Sequence, residues 1–81
     1  MSLYRADKRA EELRQICLEE LATHPVTREI ARLEIVAAAD EDRSWDAVDI
    51  RDYEDEPAAG ETLRLARETI DLQRDLFSLV S

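Results

Sequence analysis

Small and apolar side chains recur at helical spacing in the first quarter of the chain. At about 100° per residue, six of them fall within about 80° of arc on a helical wheel. They are Leu3, Ala6, Ala10, Leu13, Cys17 and Leu21. The triplet Thr23-His24-Pro25 then ends the pattern, because proline disfavours the α conformation in the residue before it. This spacing predicts a helix over residues 3–23.

A second helix is predicted over residues 26–39. Pro25 suits the first turn of a helix, and a narrow apolar stripe follows it, formed by Val26, Ile30, Leu33 and Ala37. The connection between the two helices is short, so we expect them to pack antiparallel as a hairpin.

The last stretch, residues 58–80, predicts a long helix with two apolar stripes. The first stripe consists of Leu63, Ala66, Ile70, Phe77 and Val80, and the second of Leu65, Leu72, Leu76 and Leu79. Together they cover about 200° of the helix surface, whereas a surface helix usually needs about 100°. The second stripe therefore predicts either a cover formed by the preceding segment or a homodimer, and isologous dimers are the commonest oligomers.

Composition supports a helical fold. The chain has 81 residues, with one glycine and two prolines, and abundant Ala, Leu, Glu and Arg, which favour helix over sheet. We expect one all-α domain over 1–81, a small three- to four-helix bundle. An acidic segment, residues 40–56, would separate the helical hairpin from the C-terminal helix.

The acidic segment carries most of the net charge. Nine acids and two arginines give it −7 of the total −9. Ser44 is a favourable N-cap with Asp46 in the first turn, so a short helix is predicted over 45–53. Its apolar residues, however, neither gather on one helical face nor alternate as in a strand. An ordered binding site and a solvated linker both remain open.

Catalytic and metal-binding chemistry finds little support in this chain. Nucleophilic catalysis needs a nucleophile beside a base, yet His24 lies in a turn and Cys17 on the core stripe. One Cys and one His do not make a zinc site. The run from Asp40 to Asp46 alternates like a calcium loop, but Trp45 occupies the glycine position and Arg51 the bidentate glutamate position. We expect a non-enzymatic protein without cofactor or metal.

The charge also limits the class of partner. A net charge of −9 argues against direct binding to nucleic acid or to an anionic membrane, which require a basic footprint. It favours a basic protein surface. A single cysteine excludes an internal disulfide, and neither a signal peptide nor a membrane-spanning apolar run is visible, so a cytoplasmic location is expected.

Two functions follow from these patterns. In the first, the acidic segment binds a basic surface, with Trp45 and Tyr53 as aromatic anchors. The chain is similar in charge to small acidic proteins that occupy nucleic-acid-binding grooves, including phage-encoded inhibitors of bacterial defence complexes. The hypothesis therefore includes mimicry of nucleic acid. The predicted partner-binding residues are Asp42, Trp45, Asp46, Asp49, Asp52, Tyr53, Glu54, Asp55 and Glu56.

The alternative is a homodimeric structural or regulatory module, such as an antitoxin-like protein or an adaptor. It would act through the second stripe of the last helix, with the acidic segment serving only as a linker. The predicted oligomerisation residues are Leu65, Leu72, Leu76 and Leu79.

Overall fold

Two helices and four short strands form the fold in the computed structural model, which describes residues 6–38 and 43–80. Their order is β1 (Ala6–Lys8), α1 (Ala10–Ala22), β2 (Ile30–Ala37), β3 (Trp45–Asp52), α2 (Gly60–Leu76) and β4 (Phe77–Leu79). β2 and β3 form an antiparallel hairpin, and β1 pairs with β4 in parallel. The predicted all-α helical bundle is therefore wrong: the domain is a mixed α/β fold.

The predicted helices over 26–39 and 45–53 are wrong: these stretches contain the two strands of the hairpin, β2 and β3, and residue 39 lies outside the described part. Their periodicity misleads because both strands contain β-bulges. The register runs from Glu34 opposite Val48 to Arg32 opposite Arg51, so β3 has one extra residue there. Asp49, in this interval, has a φ of 54°, as expected for a bulge residue in the left-handed region.

A bulge converts the strand spacing of two residues into three, which is also a helical spacing. The buried positions of β2 are Ile30 and Leu33, and those of β3 are Trp45, Ala47 and Ile50. A second register shift, between Ile30 and Arg32, produces the three-residue step in β2. Each strand thus keeps its core face along its length, but the sequence shows no clean alternation.

The two helices are shorter than predicted because strands take over their outer ends. α1 starts at Ala10 rather than at residue 3, since residues 6–8 pair with 77–79 and residues 3–5 lie outside the described part. α2 ends at Leu76 rather than at residue 80, because Phe77 adopts an extended backbone conformation, with φ −132° and ψ 151°. Pairing between the chain ends therefore limits both helices.

One hydrophobic cluster holds these elements together. Leu13, Cys17 and Leu21 of α1, spaced by four residues, are fully buried against the hairpin and against Ile70 of α2. Trp45 is also fully buried, and its indole Nε1 donates to the Phe77 carbonyl oxygen at 2.9 Å. The Leu79 amide donates to Ser44 Oγ at 2.8 Å. The start of β3 therefore anchors β4, which joins the two sheets.

Arginines of α2 cover the free edge of β3. Arg74 Nε donates to the Trp45 carbonyl oxygen at 2.6 Å, and Arg67 donates to the Ala47 carbonyl oxygen at 2.7 Å. The Asp46 carboxylate accepts from Arg67 at 2.9 Å and from the Ala47 amide at 2.8 Å. An open strand edge invites pairing with another chain, and here side chains occupy the carbonyl groups of Trp45 and Ala47 and the Ala47 amide.

Candidate protein-interaction surface

The acidic segment ends in a well-defined turn rather than in an open linker. The Asp55 amide donates to the Asp52 carbonyl oxygen, and the Asp52 amide donates to the Glu56 carbonyl oxygen, each at 3.0 Å. The Asp52 carboxylate accepts from the amides of Glu54 at 2.9 Å and of Glu56 at 3.0 Å. Asp55 adopts a φ of 63°. This geometry gives the turn a fixed backbone, in which the carboxylate of Asp52 has a structural role.

Tyr53 projects from this turn into solvent. Its exposed fraction is 77 %, the largest of any exposed large apolar or aromatic residue in the described part of the chain. Glu54 and Glu56 follow it and are exposed. We define the turn surface as Tyr53, Glu54, Asp55 and Glu56: a solvated phenol ring surrounded by carboxylates.

Several acids of the segment are neutralised within the chain. Asp49 accepts from Arg51 Nε at 2.7 Å, and Asp55 accepts from Arg32 at 3.0 Å. These arginines and acids line an open, polar cavity of about 500 Å³ that lies beside the bulges, together with Leu33 and Glu34. Since β2 was predicted as a helix, sequence reasoning could not place Arg32 next to the turn.

Asp46 lies between arginines and faces the protein interior. Partial burial acts to raise the pKa of its carboxyl group. The hydrogen bonds from Arg67 and the Ala47 amide, together with the charges of Arg67 and Arg74, outweigh this effect and hold the pKa below its ordinary value. Asp46 is therefore an ionised partner of α2, which leaves it little capacity to bind an external cation.

The remaining predicted partner-binding residues differ in how accessible they are to a partner. Trp45 belongs to the core and offers no surface to a partner. Asp49 and Asp55 reach the surface but carry internal ion pairs. Asp42 lies outside the described residues. Of the two predicted aromatic anchors, only Tyr53 is accessible.

The predicted oligomerisation residues also separate. Leu72 and Leu76 are 63 % and 57 % exposed on the outer face of α2, and Leu65 is half-buried on the same face. Leu79 belongs to β4 and packs against the core. Homodimerisation through this stripe stays a prediction for the three helical leucines.

Metal-ligating side chains do not gather within residues 6–38 and 43–80. No group of three His, Cys, Asp or Glu side chains there could hold a metal ion. Cys17 is fully buried, and burial raises the pKa of its thiol to about 12, so it is present as the unreactive thiol. No helix in the described ranges is both long and apolar enough to cross a membrane.

Comparison with known proteins found no matching family model, no matching curated protein and no matching solved structure.

Proposed function

We propose that this protein is a non-enzymatic binding module whose turn surface contacts a basic surface of another protein. The observation that carries the proposal is the exposure of Tyr53, at 77 %, on a hydrogen-bonded turn between exposed carboxylates. An aromatic anchor with a polar rim is the usual composition of an interface hot spot. Because the turn backbone is already fixed, little ordering entropy would oppose binding.

Electrostatics would set the rate of association more than the affinity. A net charge of −9 on 81 residues steers a basic partner toward the protein, and this attraction weakens as salt rises. Nucleic-acid-binding proteins are the partner class that we favour, because their phosphate-binding surfaces are basic. Occupation of such a surface would make this protein an inhibitor or regulator. We also propose a cytoplasmic location, a compartment in which a free thiol such as that of Cys17 stays reduced.

Affinity capture at low salt, followed by titration of the recovered partner, tests the proposal. Tyr53→Ala should weaken binding about 5- to 30-fold, the loss expected for a hot-spot side chain worth 1–2 kcal/mol. Glu54→Gln combined with Glu56→Gln should slow association and reduce its dependence on salt.

A matched control separates the turn surface from the overall charge. Glu19→Gln combined with Glu20→Gln removes the same charge from an exposed face of α1 and should change binding much less. Equal weakening by both double variants would mean that net charge alone attracts the partner. Unchanged affinity of Tyr53→Ala would remove the turn surface from the interface.

A further inference from the structure

A groove runs between the α1–β2 loop, residues 23–29, and the outer face of α2. It contains a cavity of about 260 Å³, whose lining includes Pro25, Val26 and Thr27 of the loop and Leu65, Thr69 and Leu72 of α2. This volume is below the range of about 300–1,000 Å³ that is typical of small-molecule pockets, but it can receive apolar side chains from another protein.

The loop wall of the groove is preformed. Thr27 is buried, and its hydroxyl donates to the Leu21 carbonyl oxygen at 2.7 Å. The Arg28 amide donates to the His24 carbonyl oxygen, and the Ile30 amide to that of Thr27, each at 3.0 Å. The neighbouring Val26 is nevertheless 39 % exposed. The loop therefore holds an apolar side chain at the surface instead of folding over α2.

Exposed Leu76, one helical turn beyond Leu72, extends this groove along α2. Leu65, Thr69, Leu72 and Leu76 follow one another at intervals of four, three and four residues, which is the spacing of the seam that one helix presents to another. At 1.5 Å per residue the seam is about 16 Å long, or three helical turns. A straight helix of the same length would match it.

Charge along the seam identifies the kind of helix that fits. Glu61, Glu68 and Asp75 are spaced by seven residues and follow one edge of the seam. Arg64 pairs with Glu61 and Glu68 at 2.8 Å each, and Arg43 pairs with Asp75. The two pairs of Arg64 are exposed, and exposed ion pairs contribute little to stability, so cations from a partner can replace Arg64 beside Glu61 and Glu68.

A second copy of the chain is a poorer occupant than a basic helix. In an antiparallel pair of α2 helices, Glu68 of one copy would face Asp75 of the other, and like charges at these flanking positions oppose pairing. In a parallel pair the acidic edge would face Gln73, which is buried in its own protomer. Neither arrangement supplies a cation to the acidic edge.

We propose that this groove binds an amphipathic helix of another protein, about three turns long, with apolar residues at four-three spacing and Lys or Arg along one flank. Leu72 and Leu76 would contact its apolar face, and Glu61 and Glu68 would pair with its cations. The site is separate from the turn surface and does not depend on the function proposed for that surface.

Fluorescence anisotropy with two labelled 18-residue helical peptides tests this inference. Both peptides carry the same leucine seam, but one has lysines on its flanks and the other has glutamates. The lysine peptide should bind at least about tenfold more tightly, as expected for a difference of 1.4 kcal/mol. Glu61→Lys combined with Glu68→Lys should reverse the preference. Leu72→Asp should abolish binding, although it makes the protein more acidic and so increases nonspecific attraction of the lysine peptide.

Val48→Asp is the matched control, because it also replaces an exposed apolar side chain by a charge, but on β3, outside both the groove lining and the turn surface, and it should leave peptide binding unchanged. Circular dichroism confirms that each variant is folded. The inference is overturned if neither peptide binds, if both bind equally, or if Leu72→Asp still binds. Sedimentation of the wild type as a dimer that Leu72→Asp converts to a monomer would assign the groove to a second copy instead.

Discussion

Arg74 provides the sharpest test of how α2 is held against the hairpin. Its side chain is buried, with an exposed fraction of 6 % for the residue. Its Nε donates to the Trp45 carbonyl oxygen at 2.6 Å, and a terminal nitrogen lies 3.3 Å from Asp71 and 3.8 Å from Asp46. Arg74→Met keeps the aliphatic part of the side chain and its helix propensity but removes these donors.

The expected loss of stability follows from the acceptor groups that lose their donor in Arg74→Met. A hydrogen bond to a charged donor contributes about 1.5–3 kcal/mol, and a buried carbonyl group such as that of Trp45 is costly to leave without a donor. Asp46 keeps its bond to Arg67, and Asp71 is half-exposed and can be hydrated. We therefore expect a loss of about 3 kcal/mol in the free energy of unfolding. In a domain of this size that loss lowers Tm by about 12–24 °C.

Arg64→Met is the matched control for this measurement. It makes the same substitution in the same helix, where Arg64 is exposed and forms two ion pairs within α2. Such pairs stabilise a helix by about 0.2–0.5 kcal/mol each, so the control should lose at most about 1 kcal/mol. Chemical denaturation followed by the fluorescence of Trp45, the only tryptophan, measures both variants. Losses of similar size in the two would refute the role assigned to Arg74.

Two further predictions concern protonation. The lowered pKa of Asp46 means that its contribution to stability is complete above the unfolded-state pKa, about 3.9, and disappears as pH falls through the folded-state value. The difference in unfolding free energy between wild type and Asp46→Asn should therefore be large near pH 6 and shrink below about pH 4, as measured by urea denaturation across pH; a constant difference would contradict the ionic role. The pKa of Cys17, raised to about 12, has the opposite consequence. The contribution of its thiol to the free energy of unfolding is complete below about pH 8.5 and declines as pH rises toward 12. Cys17→Ala should lack this decline. A thiol reagent should modify Cys17 only as fast as the protein opens, and rapid modification of the native state would show that the thiol is accessible.

The helical segments were the most predictable part of the fold. Leu13, Cys17 and Leu21 are four residues apart, as are Ala66 and Ile70, and all five are fully buried. Both helices are continuous, so a local rule on spacing suffices to identify them. Their ends depend on the pairing of residues 6–8 with 77–79, a contact between distant parts of the chain that no local pattern contains.

The hairpin was missed for a different physical reason. β-branched residues such as Ile35, Val36 and Ile50 favour strands, but the bulges in β2 and β3 replaced the two-residue alternation by steps of three. A bulge is stabilised by the partner strand and by the interactions of residues such as Asp49, whose carboxylate accepts from Arg51. The same apolar positions were therefore compatible with a helix until the pairing was known.

The candidate sites likewise combine features that the sequence predicts with features that only the folded structure determines. The sequence by itself determined the excess of acid in residues 40–56, the presence of Tyr53 there, and the surplus apolar stripe on α2, because charge and helical spacing are local properties. Only the tertiary structure decided which acids remain available: Asp46 faces Arg67, Asp55 pairs with Arg32, and Asp52 stabilises its own turn. The sequence lists the charged groups, but their neutralisation depends on partners up to 28 residues away, which the folded backbone brings within ion-pair distance.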